Sequence, residues 1–162
     1  MAIGVFSRPC SYATRALLYL ASQPQGRMSA GGDIAASESI PPAFLGKVLH
    51  PLCRDRFVRS RKGLRGGYEL LVSPDRITLL DIVRSMDGEP LMDCLLEDRA
   101  CSCTTPCEIH ESWSDMRDQF VNYLQNVTVA DLAGNRQVRR RQKDPKAGDE
   151  TKQGNLRAHR GE

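Results

Sequence analysis

Four of the chain's six cysteines and one of its three histidines lie in a single stretch of twenty residues, "CLLEDRACSCTTPCEIHESW", from Cys94 to Trp113. Thiolates bind metals and carry out redox exchange, so a group of neighbouring thiols indicates one of these two chemistries. The other two cysteines, Cys10 and Cys53, fall within apolar helical patterns, and we predict that they are small core residues.

The spacing of the clustered thiols favours an iron-sulfur cluster over a structural zinc site. Zinc sites commonly use two close Cys-x-x-Cys pairs, whereas here the gaps between Cys94, Cys101, Cys103 and Cys107 are six, one and three residues. Without Cys103 the gaps are six and five residues, which are loops long enough to wrap a cluster. Zinc binding stays open as an alternative, and so does a strained, reducible disulfide between Cys101 and Cys103.

A capping box is predicted to begin a helix at the last of these cysteines. Thr105-Pro106-Cys107-Glu108 has the Thr-x-x-Glu pattern, with proline at the first helical position. There the free backbone N–H groups and the positive end of the helix dipole favour a Cys107 thiolate. His110 follows three residues later on the same helix face, which makes it a candidate fourth ligand. The alternative is an incidental surface histidine.

The same predicted helix carries a regular apolar stripe. Its members recur at spacings of three, four, three and four residues, namely Trp113, Met116, Phe120, Tyr123 and Val127. Such a stripe can pack against its own domain, but its regularity favours pairing with a second subunit. We therefore predict that these residues form a homodimer interface.

The first ninety residues have the pattern of a winged helix-turn-helix. Three helices are predicted, in "RPCSYATRALLYLASQ", in "SAGGDIAASE" with Ser29 as its cap, and in "PPAFLGKVLHPLCRD". In the third helix Phe44 is expected to face inward and Pro51 to bend or interrupt the helix. "FVRSRKGLRGGYELLVS" then predicts two strands around a basic loop, and "TLLDIVRSMDG" a helix capped by Thr78. The predicted fold class is mainly α with a small β-hairpin wing, followed by a long dimerisation helix.

The distribution of charge indicates an anionic partner. The formal net charge is +3, but the last 27 residues hold nine Lys and Arg against four Asp and Glu, so the body of the chain is slightly acidic. Within that body, six basic residues lie within twelve positions: Arg54, Arg56, Arg59, Arg61, Lys62 and Arg65. A basic strip on an acidic body favours a directed contact with nucleic acid. A solvated basic loop is the alternative.

Several classes of protein are disfavoured. No run approaches the 18 apolar residues of a membrane span, and the N-terminus lacks the features of a secretory signal, so a cytoplasmic location is predicted. We predict that the chain is not an enzyme and has no catalytic residues, since it has neither a phosphate-binding glycine loop nor a nucleophile, base and acid set. Residues 135–162 contain two large aliphatic residues and no aromatic ones, which predicts a disordered basic tail.

Taken together, these segments resemble the bacterial iron-sulfur winged helix-turn-helix transcription regulators typified by IscR, NsrR and RirA. The resemblance covers about Phe6 to Gly134 and rests on motifs in a fixed order: "YATRALLYLA", "DIAASESIPPAFLGKVLHPL", "VRSRKGLRGGYEL", "ITLLDIV", the three-cysteine loop and "FVNYLQNVTVADLA".

The resemblance implies a homodimer that binds an operator in double-stranded DNA under the control of an iron-sulfur cluster. It implies cluster binding by Cys94, Cys101 and Cys107. His110 matches the ligand of the IscR type, which favours 2Fe-2S, whereas the N-terminal acid of the NsrR type is replaced by Ser11. The extra Cys103 and a first gap one residue longer than in those proteins keep 4Fe-4S open. A zinc-stabilised or thiol-disulfide-switched DNA-binding protein is the alternative.

In that interpretation the helix from Pro42 to Leu52 enters the major groove and the wing lies on phosphates or in the minor groove. The predicted DNA-binding residues are Pro42, Ala43, Lys47, Arg59, Arg61, Lys62 and Arg65. The predicted organisation is a winged helix-turn-helix over 1–90, a cluster loop over 91–110, a dimerisation helix over 106–134 and the tail over 135–162. The recognition helix of the IscR type carries an acidic residue at the position where this chain has Gly46. We therefore do not expect this chain to share the operator preference of IscR.

Overall fold

A computed structural model of the chain describes residues 6–63, 66–89, 93, 94, 96, 97 and 99–143, with backbone alone from residue 139 onward. These ranges contain six α-helices, a short 3-10 helix and one two-stranded antiparallel sheet. In chain order they are α1 (Arg8–Ala21), α2 (Gly31–Glu38), α3 (Pro42–Arg54), β1 (Val58–Arg61), β2 (Gly67–Leu70), the 3-10 helix (Pro74–Arg76), α4 (Leu79–Asp87), α5 (His110–Asn126) and α6 (Val129–Lys143). The predicted fold class is confirmed.

Helix α1 lies at the centre of the molecule and contacts α2, α3, α4 and α6. Its apolar stripe is buried as the sequence predicts, with Ala13, Ala16 and Leu17 fully enclosed and Leu20 nearly so. Ser7 begins the helix, because its hydroxyl accepts a hydrogen bond from the Cys10 N–H. A rigid central helix therefore connects the DNA-binding elements with those that follow them.

The wing is attached to the helix-turn-helix through backbone hydrogen bonds. Ser29 and Tyr68 exchange two of them, at 2.9 and 2.8 Å. Ser29 is thus not the predicted cap of α2; its backbone pairs with the wing, and Ala30 precedes the helix without a side-chain cap. Gly67 permits this contact, since a Cβ at that position would lie 2.2 Å from the Ser29 oxygen.

Helices α4 and α6 begin side by side. The predicted cap at Thr78 is present as a full capping box with Asp81, and Thr128 with Asp131 makes the same exchange at the start of α6. Two backbone hydrogen bonds join the two starts. The Leu79 N–H donates to the Val127 oxygen, and the Val129 N–H donates to the Ile77 oxygen. The α5–α6 junction is therefore fixed to the winged helix-turn-helix.

The predicted capping box at Thr105 is wrong. Helix α5 begins at His110, preceded by a turn, and Ile109 stands at its N-cap without a side-chain hydrogen bond. The Thr105 hydroxyl instead accepts a hydrogen bond from Arg99, 2.6 Å away. The Thr-x-x-Glu pattern therefore does not mark the start of α5.

Two further predictions on the helices are also wrong, and a third, that Pro51 bends or interrupts α3, is wrong on the interruption. Residues 135–143, predicted to be disordered, continue α6, because Arg136 forms an ion pair with the buried carboxylate of Glu38. Helix α3 runs through Pro51 to Arg54 without interruption. Phe44 faces outward, with 46% of its surface exposed. The remainder of the predicted tail, 144–162, lies outside the described residues.

Candidate DNA interface and metal centre

The four predicted metal ligands are brought together as two pairs. The Cys94 and Cys107 sulfurs lie 3.5 Å apart, and the Cys101 sulfur lies 3.4 Å from Nδ1 of His110. Cys103 is exposed and in neither pair, and all six cysteines are free thiols. Among the described residues, no three His, Cys, Asp or Glu side chains form a preassembled metal site.

Short backbone contacts hold the loop that carries Cys94. The Cys94 N–H donates to the Arg99 oxygen at 2.9 Å, and Asp93 and Ala100 form an isolated antiparallel bridge. The indole N–H of the buried Trp113 donates to the Asp93 oxygen at 3.3 Å. The start of α5 is therefore connected to the loop over residues 93–101, here called the ligand loop, in two ways. One is the two pairs Cys94–Cys107 and Cys101–His110, and the other is this indole.

The two thiols of the first pair differ in acidity. Hydrogen bonds from the Leu96 backbone lower the pKa of Cys94 most, with further lowering by Cys107 and Glu97. For Cys107, the Ile109 N–H lowers the pKa, but burial and the Cys94 thiol outweigh it and the net pKa is raised. Cys94 is therefore the first of the pair to ionise.

The guanidinium of Arg99 interacts with the Cys94 and Cys107 thiols. Arg99 pairs with Glu97 and donates to Thr105. The pKa of Arg99 is raised, first by Glu97 and further by the negative charge that develops on Cys94 and Cys107. A guanidinium beside the first pair favours thiolates over thiols, which is the protonation state that binds a metal.

Cys10 and Cys53 are separate from this centre, in agreement with their predicted core positions. Cys10 lies on the buried face of α1, and burial, with a contribution from Asp87, raises its pKa to about 12. Burial also raises the pKa of Cys53, which packs at the edge of the core. Neither thiol is activated as a nucleophile or ligand.

The outward face of α3 carries the predicted base-contacting residues. Pro42, Ala43 and Lys47 are exposed on it, while the opposite face buries Leu45, Val48, Leu49 and Leu52. Phe44, which the sequence reasoning placed in the core, belongs to the exposed face. Its position could have been inferred from helical phase, because it lies one residue outside the i, i+3, i+4, i+7 stripe of the buried leucines and valine.

The predicted basic wing residues differ in their partners. Arg59 and Glu69 are directly opposite in the β1–β2 register, and Arg59 Nε donates to the buried Glu69 carboxylate at 2.7 Å. Arg61 and Lys62 are exposed near the tip of the wing. Arg65 lies outside the described residues. The charge of Arg59 is thus already balanced within the chain by Glu69.

The predicted dimer stripe is divided between two environments. Trp113 is buried, and Phe120 is partly buried, its ring stacked on Phe6 at 6.2 Å between centroids. Met116 and Tyr123 are each more than half exposed. Trp113 and Phe120 therefore contribute to packing within their own chain, and the prediction of a subunit contact now depends mainly on Met116 and Tyr123. Val127 is partly exposed at the end of α5.

Among the described residues, no helix combines the length and the apolarity that a membrane crossing requires.

Comparison with known proteins places these features in a family. Residues 6–135 match the model of the Rrf2 family, described as iron-dependent transcriptional regulators. A protein of Aquifex aeolicus described as an HTH-type transcriptional regulator is 37% identical over 131 residues, which are 79% of this chain and 90% of that protein.

Solved structures agree in fold. CymR, titled the global cysteine regulator of B. subtilis, has a TM-score of 0.68 at 29% identity, over 80% of this chain and 96% of its own. IscR of T. potens has a TM-score of 0.62 over 80% of this chain and 85% of its own, and at 22% identity it shows a shared fold alone. These relatives are transcriptional regulators and not enzymes. The winged helix-turn-helix, its basic wing and the match over residues 6–135 together show that the chain belongs to the Rrf2 family of DNA-binding transcriptional regulators.

Proposed function

We propose that operator binding by this regulator is controlled by an iron-sulfur cluster held by Cys94, Cys101, Cys107 and His110. The observation that carries the proposal is the arrangement of these ligands in two pairs with separations of 3.5 and 3.4 Å. The family's description as iron-dependent supports it. We propose the predicted DNA-binding residues, homodimer and cytoplasmic location together with it, and the predicted domain bounds apart from the helix start at 106 and the tail start at 135, which the helices correct.

The donor set fits a two-iron cluster. A tetrahedral metal with bonds of about 2.3 Å to sulfur and about 2.0 Å to nitrogen separates two thiolates by about 3.8 Å and a thiolate from an imidazole by about 3.5 Å. Both observed separations lie close to these values. Two pairs correspond to two irons, each with two protein ligands, whereas one zinc ion would need all four side chains around a single point. We therefore favour 2Fe-2S, with 4Fe-4S as the alternative cluster.

A change in the oxidation state of the cluster, or the loss of the cluster, would alter how firmly these four side chains are held. The chain's own contacts then carry the change. Cys107 and His110 flank the start of α5, and the far end of α5 is joined at Val127 to Leu79 of α4. At the other end of α4, Asp87 accepts hydrogen bonds from Ser7 at the start of α1. A shift of α5 therefore reaches the helix against which α3 packs.

The test uses anaerobically purified full-length protein. Native mass spectrometry should find iron and sulfide in the wild type, and loss of both in Cys94→Ser, Cys101→Ser and Cys107→Ser. Cys103→Ser is the matched control, because Cys103 is exposed and unpaired with the other three, and it should keep the wild-type cluster mass. An unchanged cluster mass in His110→Ala would remove His110 from the ligand set.

Sensing is tested separately from cluster binding. A duplex enriched from a randomised library is titrated with as-isolated and with chelator-treated protein, by fluorescence anisotropy at fixed salt. We expect the two forms to differ in affinity by about tenfold or more, the usual size of a coupling between sites. Equal affinities would refute control by the cluster while leaving DNA binding intact.

A thiol-disulfide switch is the second candidate, since the 3.5 Å separation of Cys94 and Cys107 also suits disulfide formation. A peroxide would accept two electrons and two protons from the thiols; a sulfur-sulfur bond forms, the oxygen-oxygen bond breaks, and water and an alcohol leave. This candidate predicts iron-free wild-type protein whose mass falls by two hydrogen atoms after peroxide treatment. The disulfide that the sequence offered as an alternative would join Cys101 and Cys103. Among the described residues, these two sulfurs make no contact like that between Cys94 and Cys107.

A further inference from the structure

The exposed face of the recognition helix presents an aromatic ring near its N-terminus. Phe44 is the third residue of α3 and is 46% exposed. The N-terminal residues of a recognition helix are those that reach base edges in the major groove. A phenylalanine exposed at this position can gain free energy on DNA binding by burying the rest of its ring against an apolar group of a base.

Two neighbours fix the orientation of this ring. Tyr12 of α1 meets it edge-on, with centroids 6.4 Å apart and planes at 65°. The ammonium of Lys47 lies 5.6 Å from the ring centroid on the next turn of α3. The ring is therefore held in place before DNA arrives, and a cation that attracts phosphates or guanine accompanies it.

The surrounding surface offers few other groups that can read bases. Pro42, Ala43 and Gly46 have no hydrogen-bonding side chain, and a Cβ at Gly46 would meet nothing within 4 Å. No asparagine, glutamine, serine or threonine lies in α3. Direct readout of adenine by a paired amide is thus not available from this helix. Its first turns present an apolar surface with one cation beside it.

We propose that Phe44 determines operator specificity by packing against the 5-methyl group of a thymine. Among the groups on the major-groove edges of the four bases, that methyl group is the apolar one, and phenylalanine is an established type of contact for it. Lys47 contacts the adjacent guanine or phosphate. The inference rests on the proposed placement of α3 in the major groove, and it does not depend on the cluster.

The test replaces thymine by uracil, which removes only the methyl group. Each thymine of the library-selected duplex is changed singly to deoxyuridine, and affinity for wild-type protein is measured by anisotropy. One thymine in each half-site should matter, with a loss of about fourfold, the factor corresponding to about 0.8 kcal/mol for one buried methylene-sized group. Changing both half-sites in a dimer complex should give about fifteenfold.

Variants assign that loss to the ring. Phe44→Ala should bind the thymine and uracil duplexes equally, and Phe44→Leu, which keeps an apolar side chain, should retain about a twofold preference for thymine. His50→Ala is the control, since His50 is exposed one and a half turns later on α3 and should keep the full discrimination. Circular dichroism confirms that each variant is folded.

The outcomes separate this inference from the proposed function. A wild-type protein with no thymine-to-uracil sensitivity would overturn the role of Phe44, and so would an undiminished sensitivity in Phe44→Ala. Equal affinity of cluster-bound and cluster-free protein would instead overturn the proposed control by the cluster. The thymine-to-uracil affinity ratio would remain a valid test of Phe44 in whichever form binds DNA.

Discussion

The ion pair between Glu38 and Arg136 should be a principal attachment of α6 to the DNA-binding domain. Glu38, at the end of α2, is only 3% exposed. Nη2 of Arg136 donates to both of its carboxylate oxygens, at 2.8 and 2.9 Å. Arg15 lies farther away, at 3.9 Å. The perturbation is Arg136→Ala, which leaves the carboxylate buried with a distant partner.

The expected loss follows from the burial of the two partners. Removing one partner of a fully buried ion pair costs about 3–5 kcal/mol. The Arg136 side chain is 29% exposed, and Arg15 can partly compensate, so screening and relaxation lower the expected loss to about 2–3 kcal/mol. With a urea m-value of about 2 kcal/mol per molar, the unfolding midpoint should fall by about 1–1.5 M.

Urea denaturation at pH 7 and one fixed protein concentration measures this shift, because unfolding of an oligomer depends on concentration. Glu38→Gln removes the buried charge, so Arg136→Ala in that background should cost at least about 1 kcal/mol less than in the wild type. Arg15→Ala is the matched control and should cost less than about 0.5 kcal/mol. A midpoint for Arg136→Ala within about 0.25 M of the wild type would refute the reasoning.

Four further predictions concern the wing, the helix starts and the coupling between sites. Lys62→Ala should reduce the slope of log affinity against log salt by about 1.8, since each of the two Lys62 side chains in the proposed dimer neutralises one phosphate at about 0.9 each, whereas Arg59→Ala should change it less, because Glu69 already pairs with Arg59; anisotropy titrations over a salt series would expose the contrary order. Gly67→Ala should destabilise the protein by about 2 kcal/mol or more through its clash with the Ser29 backbone, while the unobstructed Gly32→Ala should not; equal urea midpoints would contradict this. Thr128 holds the pKa of Asp131 below its usual range, through its hydroxyl and its N–H, so the stability advantage over Asp131→Asn should be full above about pH 4 and fade as pH falls through the lowered native pKa; denaturation at pH 7 and pH 3 tests that sign. Phe6→Leu should reduce the affinity ratio between cluster-bound and cluster-free protein by about twofold or more, and an unchanged ratio would exclude Phe6 from the coupling.

Local patterns were sufficient to predict most of the winged helix-turn-helix. The buried stripe of α1 has the full 3.6-residue period, and Asp81 supplies both the N–H that donates to the Thr78 hydroxyl and the carboxylate that accepts from the Thr78 N–H. Each of these features is determined within one or two turns. The type and position of such elements therefore follow from sequence with little contribution from distant residues.

Contacts that local periodicity does not reveal account for several of the incorrect predictions. The helical continuation beyond Gly134 depends on a pair separated by 98 positions, Glu38 and Arg136. Helix α5 begins at His110, and the Thr105 hydroxyl that was predicted to cap it bonds to Arg99. The positive charge of Arg59 is balanced by Glu69, which only the strand register places opposite it. None of these partners can be identified from local periodicity, since each is chosen by the packed fold.

For the candidate site, the residue types were predictable and their pairing was not. Dense thiols and a nearby histidine indicated a metal ligand set, but the sequence could not show that Cys94 pairs with Cys107 and Cys101 with His110. That pairing depends on the conformation of the loop between them. The pairing is the observation on which our proposal of a two-iron cluster rests.

The contacts along α1 give a physical route between the ligand loop and the base-reading surface. At its N-terminal end, Phe6 stacks on Phe120 of α5 and Ser7 bonds to Asp87 of α4. Five residues after Ser7, about 7.5 Å along the helix, Tyr12 meets Phe44 of α3. Because packed helices transmit rigid-body shifts and deform little themselves, a displacement of α5 at Phe120 must move α1 or break the stacking. Movement of α1 shifts Tyr12 and with it the Phe44 ring that we assign to thymine recognition, whereas loss of the stacking would uncouple α1 from α5.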